Sequence, residues 1–166
     1  MTKNAAVFSK DPDTKTLTVV RAFDAPMEQV WKAWTTSEIL DHWWAPKPYR
    51  AETKSMDFRE GGRWLYCMVG PEGDRTWCRV DFKTIEPQKS ISTAVMFCDE
   101  AGNENPEFPK MYWKKEFSRT GSGTTVTIEI TFPRTADMEK ILAMGFEPGF
   151  TAGLNNLDDY LESHQG

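Results

Sequence analysis

Few residues in this 166-residue sequence could do catalytic chemistry, and their spacing argues against a catalytic site. His42 follows Glu38 by four residues on the polar side of a short helical pattern, so it reads as solvated. A general base needs a perturbed environment and a substrate within reach. Asp81 and Glu129 alternate outward in strand-like runs and read as surface acids, not a catalytic pair. Ser55, Ser90 and Ser92 sit in no strand–turn–helix elbow, and Gly121-Ser122-Gly123 reads as a hairpin turn, not a phosphate cradle. The three cysteines, Cys67, Cys78 and Cys98, are odd in number and have no CxxC spacing. With only His42 and His164 as further nitrogen ligands, a metal site is not expected. The sequence predicts no catalytic residue, no cofactor and no metal.

The aromatic residues carry the stronger signal. Seven Trp and ten Phe are many for this length, and Trp often lines a space or presents an amphipathic surface. Trp34, Trp44, Trp64, Tyr66, Trp113 and Phe150 form the expected lining of an internal cavity. Met68 and Met96 would add adaptable surface, with Val80 and Leu154 completing the wall. Arg21 shares strand parity with Leu17, Val19 and Phe23, which makes it the candidate polar group to orient a ligand. The alternative for Arg21 is a snorkelling side chain or one paired with a buried carboxylate.

Composition narrows the partners. A net charge of −5, with no basic cluster denser than Lys114-Lys115, argues against nucleic acid. No run approaches the roughly 20 apolar residues of a membrane helix, so no membrane span is expected. Met1 to Lys10 lack the apolar run of a signal peptide, and the thiols fit a reducing compartment; the expected location is cytoplasmic.

Positioning these residues falls to an α+β pattern over a single domain, residues 1–166, with a core from about 14 to 163. Residues 1–13 read as an N-terminal arm around Ala6-Val7-Phe8. Thr16 to Phe23 alternates as a strand, and Asp24-Ala25-Pro26 opens a helix carrying Met27, Val30, Trp31 and Trp34 on one face. A second short helix, capped by Ser37, ends at Trp43-Trp44, where Ala45-Pro46-Lys47-Pro48 stops it. Strand signals then run nearly to Phe132, broken by turns at Gly61-Gly62 and Gly70 to Asp74, and by a loop from Asp99 to Pro109. A short helix from Asp137 to Met144 is broken by Gly145 and by Pro148-Gly149. The last helix sets Phe150, Leu154, Leu157 and Leu161 on one stripe, with Gly153 beside it giving either close backbone approach or room for a guest.

This order resembles the START-like (SRPBCC) helix-grip superfamily: one strand, two short helices, about six strands, then a long helix. Arg21-Ala22-Phe23-Asp24-Ala25-Pro26, Val30-Trp31-Lys32-Ala33-Trp34-Thr35 and Trp43-Trp44-Ala45-Pro46 are similar to the N-terminal signature of one of its families. That family is named for the activator of the heat-shock-protein-ninety ATPase. Gly61-Gly62 and the run from Met144-Gly145-Phe146 to Leu161 match its turn and its C-terminal helix. The resemblance implies a curved antiparallel sheet of six to seven strands around the long C-terminal helix.

The function expected from this reading is binding of a small hydrophobic or aromatic molecule between sheet and helix, without catalysis. The resemblance implies two alternatives, a chaperone-interacting module and a polyketide-cyclase-like enzyme. The partners expected are thus a small apolar molecule and, in the second reading, a chaperone. Paired edge strands could make a homodimer, but no residue marks one.

Overall fold

Alternation of period two is strong enough to write most of the sheet. In the second strand Leu17, Val19, Arg21 and Phe23 are buried while the residues between them are half-exposed. The structure is a computed structural model that describes residues 5–46, 48–121 and 123–163. Its elements are β1 (Val7–Asp11), β2 (Thr16–Phe23), α1 (Met27–Thr35), α2 (Ser37–Trp43), β3 (Arg50–Met56), β4 (Arg63–Val69), β5 (Arg75–Glu86), β6 (Ser90–Cys98), β7 (Met111–Thr120), β8 (Gly123–Thr131), α3 (Thr135–Ala143) and α4 (Phe146–Ser163). His164, Lys47 of the helix stop and Ser122 of the last hairpin turn lie outside the described residues.

All eight strands join one antiparallel sheet in the order β1-β2-β8-β7-β6-β5-β4-β3. The sequence predicts six to seven strands; the additional one is the N-terminal arm. Its residues pair from Val7↔Val20 to Asp11↔Thr16. The turn between β1 and β2 is held by Asp11 Oδ1, which accepts from the backbone N–H groups of Asp13 at 3.1 Å and Thr14 at 3.4 Å. Register shifts at Thr53/Ser55 and Phe82/Thr84 bend the sheet, and its concave face receives the helices.

Helix boundaries depart from expectation in two instructive places. Thr36, not Ser37, occupies the cap of α2, and no side chain caps it. Proline at 148 does not delay α4, which begins at Phe146. Proline is tolerated in a first helical turn because the N–H it lacks would have no partner there.

α4 is fixed to the rest of the fold by two contacts. Arg21, almost fully buried on β2, donates to Asp158 Oδ2 at 2.5 Å and Asn155 Oδ1 at 3.1 Å. Farther along, Gly153 meets the end of α2: a Cβ built there would lie 3.1 Å from the Trp44 carbonyl oxygen and 3.4 Å from that of Trp43. The glycine thus serves close approach, not a guest. Asn156 uses that proximity to donate to the Ala45 carbonyl at 3.1 Å.

Two stability predictions follow from these anchors. Gly153→Val should cost roughly 2 kcal/mol, since its γ-carbons overlap fixed carbonyl groups. Gly153→Ala should be close to neutral, its gain in helix propensity offsetting the tighter contact. Asp158→Ala leaves the buried Arg21 charge unpaired and should cost about 3 kcal/mol, against less than about 0.5 kcal/mol for exposed Glu162→Ala. Urea denaturation curves of the four variants check these values.

Candidate functional site

The open volume lies where α4 parts from the sheet. The C-terminal half of α4 presses Leu154, Leu157 and Leu161 into the core, and all three are buried. At its N-terminal end the chain turns sharply out of α3 through Gly145, whose φ of 87° suits glycine. Between that turn and strands β4 to β7 a cavity of about 250 Å³ remains.

Its walls are almost wholly apolar. The sheet contributes Tyr66 and Met68 from β4, Cys78 from β5, Val95 and Phe97 from β6, and Met111 and Trp113 from β7. Trp44 and Pro46 close one side; Ile141, Met144, Phe146 and Phe150 form the mouth. Phe146 and Phe150 stack at 5.3 Å, and Trp113 meets Phe150 edge to face at 5.6 Å. Met144 at the mouth is about half exposed, at 52%.

Trp44 is the hub of this arrangement. Its indole makes ring contacts with Trp34, Trp43, Trp64, Tyr66, Trp113 and Phe150. Its Nε1–H donates to the Tyr66 hydroxyl at 2.7 Å, which fixes the ring's orientation. Burial holds Tyr66 well above the usual phenol range and pushes the Cys78 thiol up to about 12. Both groups are therefore neutral and protonated at physiological pH.

The expected lining residues divide into two groups. Trp44, Tyr66, Met68, Met96, Trp113 and Phe150 border the cavity. Met96 pairs with Arg79, and by strand parity its side chain leaves β6 on the opposite face from Val95. Trp34, Trp64, Val80 and Leu154 do not border the open volume; they are buried in the filled core around it. Trp64 is spent on a polar chain instead, donating to Thr53 Oγ1 at 3.0 Å, which donates to Asp41 at 2.6 Å. Arg21 is engaged with Asp158 and borders no part of the cavity, so it does not orient a guest there. His42 is exposed, stacking on Tyr160 at 6.1 Å.

Sequence reasoning missed three of the mouth residues, Ile141, Met144 and Phe146, and one buried cation. Lys115 on β7 is 6% exposed and points to the concave face, opposite Ile91 and Ile128. Its ammonium lies over the rings of Trp34, Trp44 and Trp113, at 5.4, 5.4 and 5.7 Å from their centroids. Desolvation lowers its pKa to about 8. The alternation Met111, Trp113, Lys115, Phe117 carried the signal, since it puts the lysine on an otherwise apolar face. Among the described residues, no group of three His, Cys, Asp or Glu is placed to hold a metal, and no helix is long and apolar enough to cross a membrane.

Comparison with known proteins places this geometry in a family. A family model described as activator of Hsp90 ATPase homolog 1-like protein matches residues 24–162. Comparison with curated proteins gave no match. Among solved structures, protein Ms6760 of Mycobacterium smegmatis superposes with a TM-score of 0.89 at 27% identity, covering 98% of this chain and 99% of that one. A solution structure of an Arthrobacter aurescens protein gives 0.89 at 28% identity, covering 95% and 91%. CalU16 of Micromonospora echinospora shares the fold at a TM-score of 0.62 and 19% identity, covering 96% and 85%. With a curved eight-stranded sheet gripping α4 and the family model matched over most of its length, the chain belongs to the activator of Hsp90 ATPase homolog 1-like family, within the helix-grip fold.

Proposed function

We propose that this protein binds one small hydrophobic or aromatic molecule in the cavity between β4–β7 and the start of α4, without acting on it. The observation that carries this reading is the cavity itself: about 250 Å³ of space walled by aromatic rings and methionines. A dry apolar cavity of ~150 Å³ is enough for benzene, so this one suits a bicyclic aromatic. Burying ~300 Å² of such a guest at about 25 cal/mol per Å² gives roughly 7–8 kcal/mol before association costs. Micromolar-range affinity or weaker is what remains after those costs. The wall's two titratable groups, Tyr66 and Cys78, are held protonated and supply no anionic base at neutral pH, which favours binding over catalysis.

The family's name, activator of Hsp90 ATPase homolog 1-like protein, supports a second reading, docking on Hsp90. Measuring the ATPase rate of the cognate chaperone with and without this protein separates the two: stimulation supports docking, and an unchanged rate removes it.

Isothermal titration with 2-naphthalenemethanol tests the binding reading. One saturable site of micromolar-range Kd is expected. Val95→Phe, which places a ring inside the cavity, should weaken it at least tenfold with the far-UV circular dichroism unchanged. Equal affinity in the two proteins, or no saturable heat in the wild type, would end the proposal.

A further inference from the structure

Lys115 has no carboxylate partner among the described residues. Thr93 and Ile91 face it from β6, Ile128 from β8, Trp34 from α1, and Trp44 from the end of α2. The nearby titratable groups, Tyr66 beside Trp44 and Cys78, are neutral at physiological pH. Of the charged groups toward the same face, Arg21 on β2 stands two strands away and pairs with Asp158 of α4, and Arg119, four residues along β7, lies 3.9 Å from Glu28 of α1. A cation in such a place stabilises nothing by pairing, and ring faces return only part of its lost hydration.

The surroundings repeat the imbalance. Thr93 Oγ1, Trp34 Nε1 and Trp113 Nε1 are buried without a hydrogen-bond partner. Thr93 pairs directly with Trp113 across β6 and β7, and Trp113 lies two residues from Lys115 on the same face. This part of the interior, between α1 and strands β6 and β7, therefore holds one ammonium and three uncommitted X–H donors, with no anion among the described residues to receive them. Native interiors rarely leave buried donors unused, and such groups mark places where a partner is missing. Trp44 and Trp113 belong both to the cage around the ammonium and to the cavity wall.

We infer that Lys115 is the anchor for an acidic guest: the cavity takes an aromatic carboxylic acid, with its rings among Trp113, Phe146 and Phe150 and its carboxylate on the Lys115 ammonium. This deepens the binding reading above and rests on it. A rotamer change in the lysine's flexible stem brings the ammonium past the indoles to the cavity side. The spare indole and threonine donors then share the carboxylate oxygens. A Schiff base at Lys115 would leave those donors unmet, whereas an acid satisfies them. With a net charge of −5 the protein as a whole repels anions, so a preference for an acid must come from a local site.

Matched titrations with 2-naphthoate and 2-naphthalenemethanol test this. The wild type should bind the acid at least tenfold more tightly at pH 7. In Lys115→Met that preference should vanish while alcohol affinity stays within threefold. Between pH 7 and 9.5 wild-type affinity for the acid should fall about tenfold, as the ammonium loses its proton, with the alcohol unaffected. Equal binding of acid and alcohol by the wild type, a flat pH profile, or an acid preference that survives in Lys115→Met would overturn the anchor and leave the cavity reading standing. Absence of binding by both compounds would overturn the two together. The pH series needs no variant and decides the matter if Lys115→Met fails to fold.

Stability gives an independent check. The folded chain releases the Lys115 proton near pH 8, and the unfolded chain holds it to about 10.4. Between those values the unfolded state binds more protons, so stability rises with pH. Lys115→Met should lack that rise and melt higher than the wild type at pH 7. A lower melting temperature would mark the lysine as structural and overturn its role as an anchor.

Discussion

The structure depends on how the end of α2 meets α4. Gly153 lets the Trp43 and Trp44 carbonyls come close enough that a side chain there would touch them. That approach delivers the Trp44 indole into the centre of the molecule, where the Tyr66 hydroxyl fixes it. On one side of the indole the interior is filled, by Trp34, Trp43 and Trp64; on the other it is open, toward Trp113 and Phe150. A helix pressed along its whole length would leave no space. One held tightly at Gly153 and Leu154 but turned away through Gly145 leaves a chamber at its N-terminal end.

Most polar groups in this interior find partners, although Arg21 does so through Nη2 alone, its Nε and Nη1 being buried without one. Arg21 is matched by Asp158, Trp43 Nε1 donates to the Ala33 carbonyl, and Trp64 is tied through Thr53 to Asp41. Each of these satisfied groups joins two elements and so specifies the fold. Lys115, Thr93, Trp34 and Trp113 form the part of the concave face where that matching stops. Retaining an unpaired cation costs stability, and proteins accept such costs where a ligand is received.

Much of the fold could be read from residue order. The alternation in β2, β5 and β8 and the stripe from Phe150 to Leu161 are periodic signals that depend on burial alone. The arm from Val7 to Asp11 was harder, because every one of its residues but Phe8 is exposed and alternation is lost on an edge strand. The site was legible only in part. Which of Trp34, Trp44 and Trp64 faces the space depends on where helix and sheet diverge, and that is a tertiary fact. Met96 leaves β6 on the face opposite Val95, a parity that its pairing with Arg79 settles, and Lys115 gives no signal of burial beyond its own parity, because charged residues are usually exposed.

A crystal structure of the protein saturated with 2-naphthoate would test the central claim most directly. It should show a single molecule with its rings between Trp113, Phe150 and Met68, the carboxylate within hydrogen-bond distance of Lys115 Nζ, and the sheet unmoved. An interior that has closed on itself, with the compound bound only on the outer surface, would contradict it.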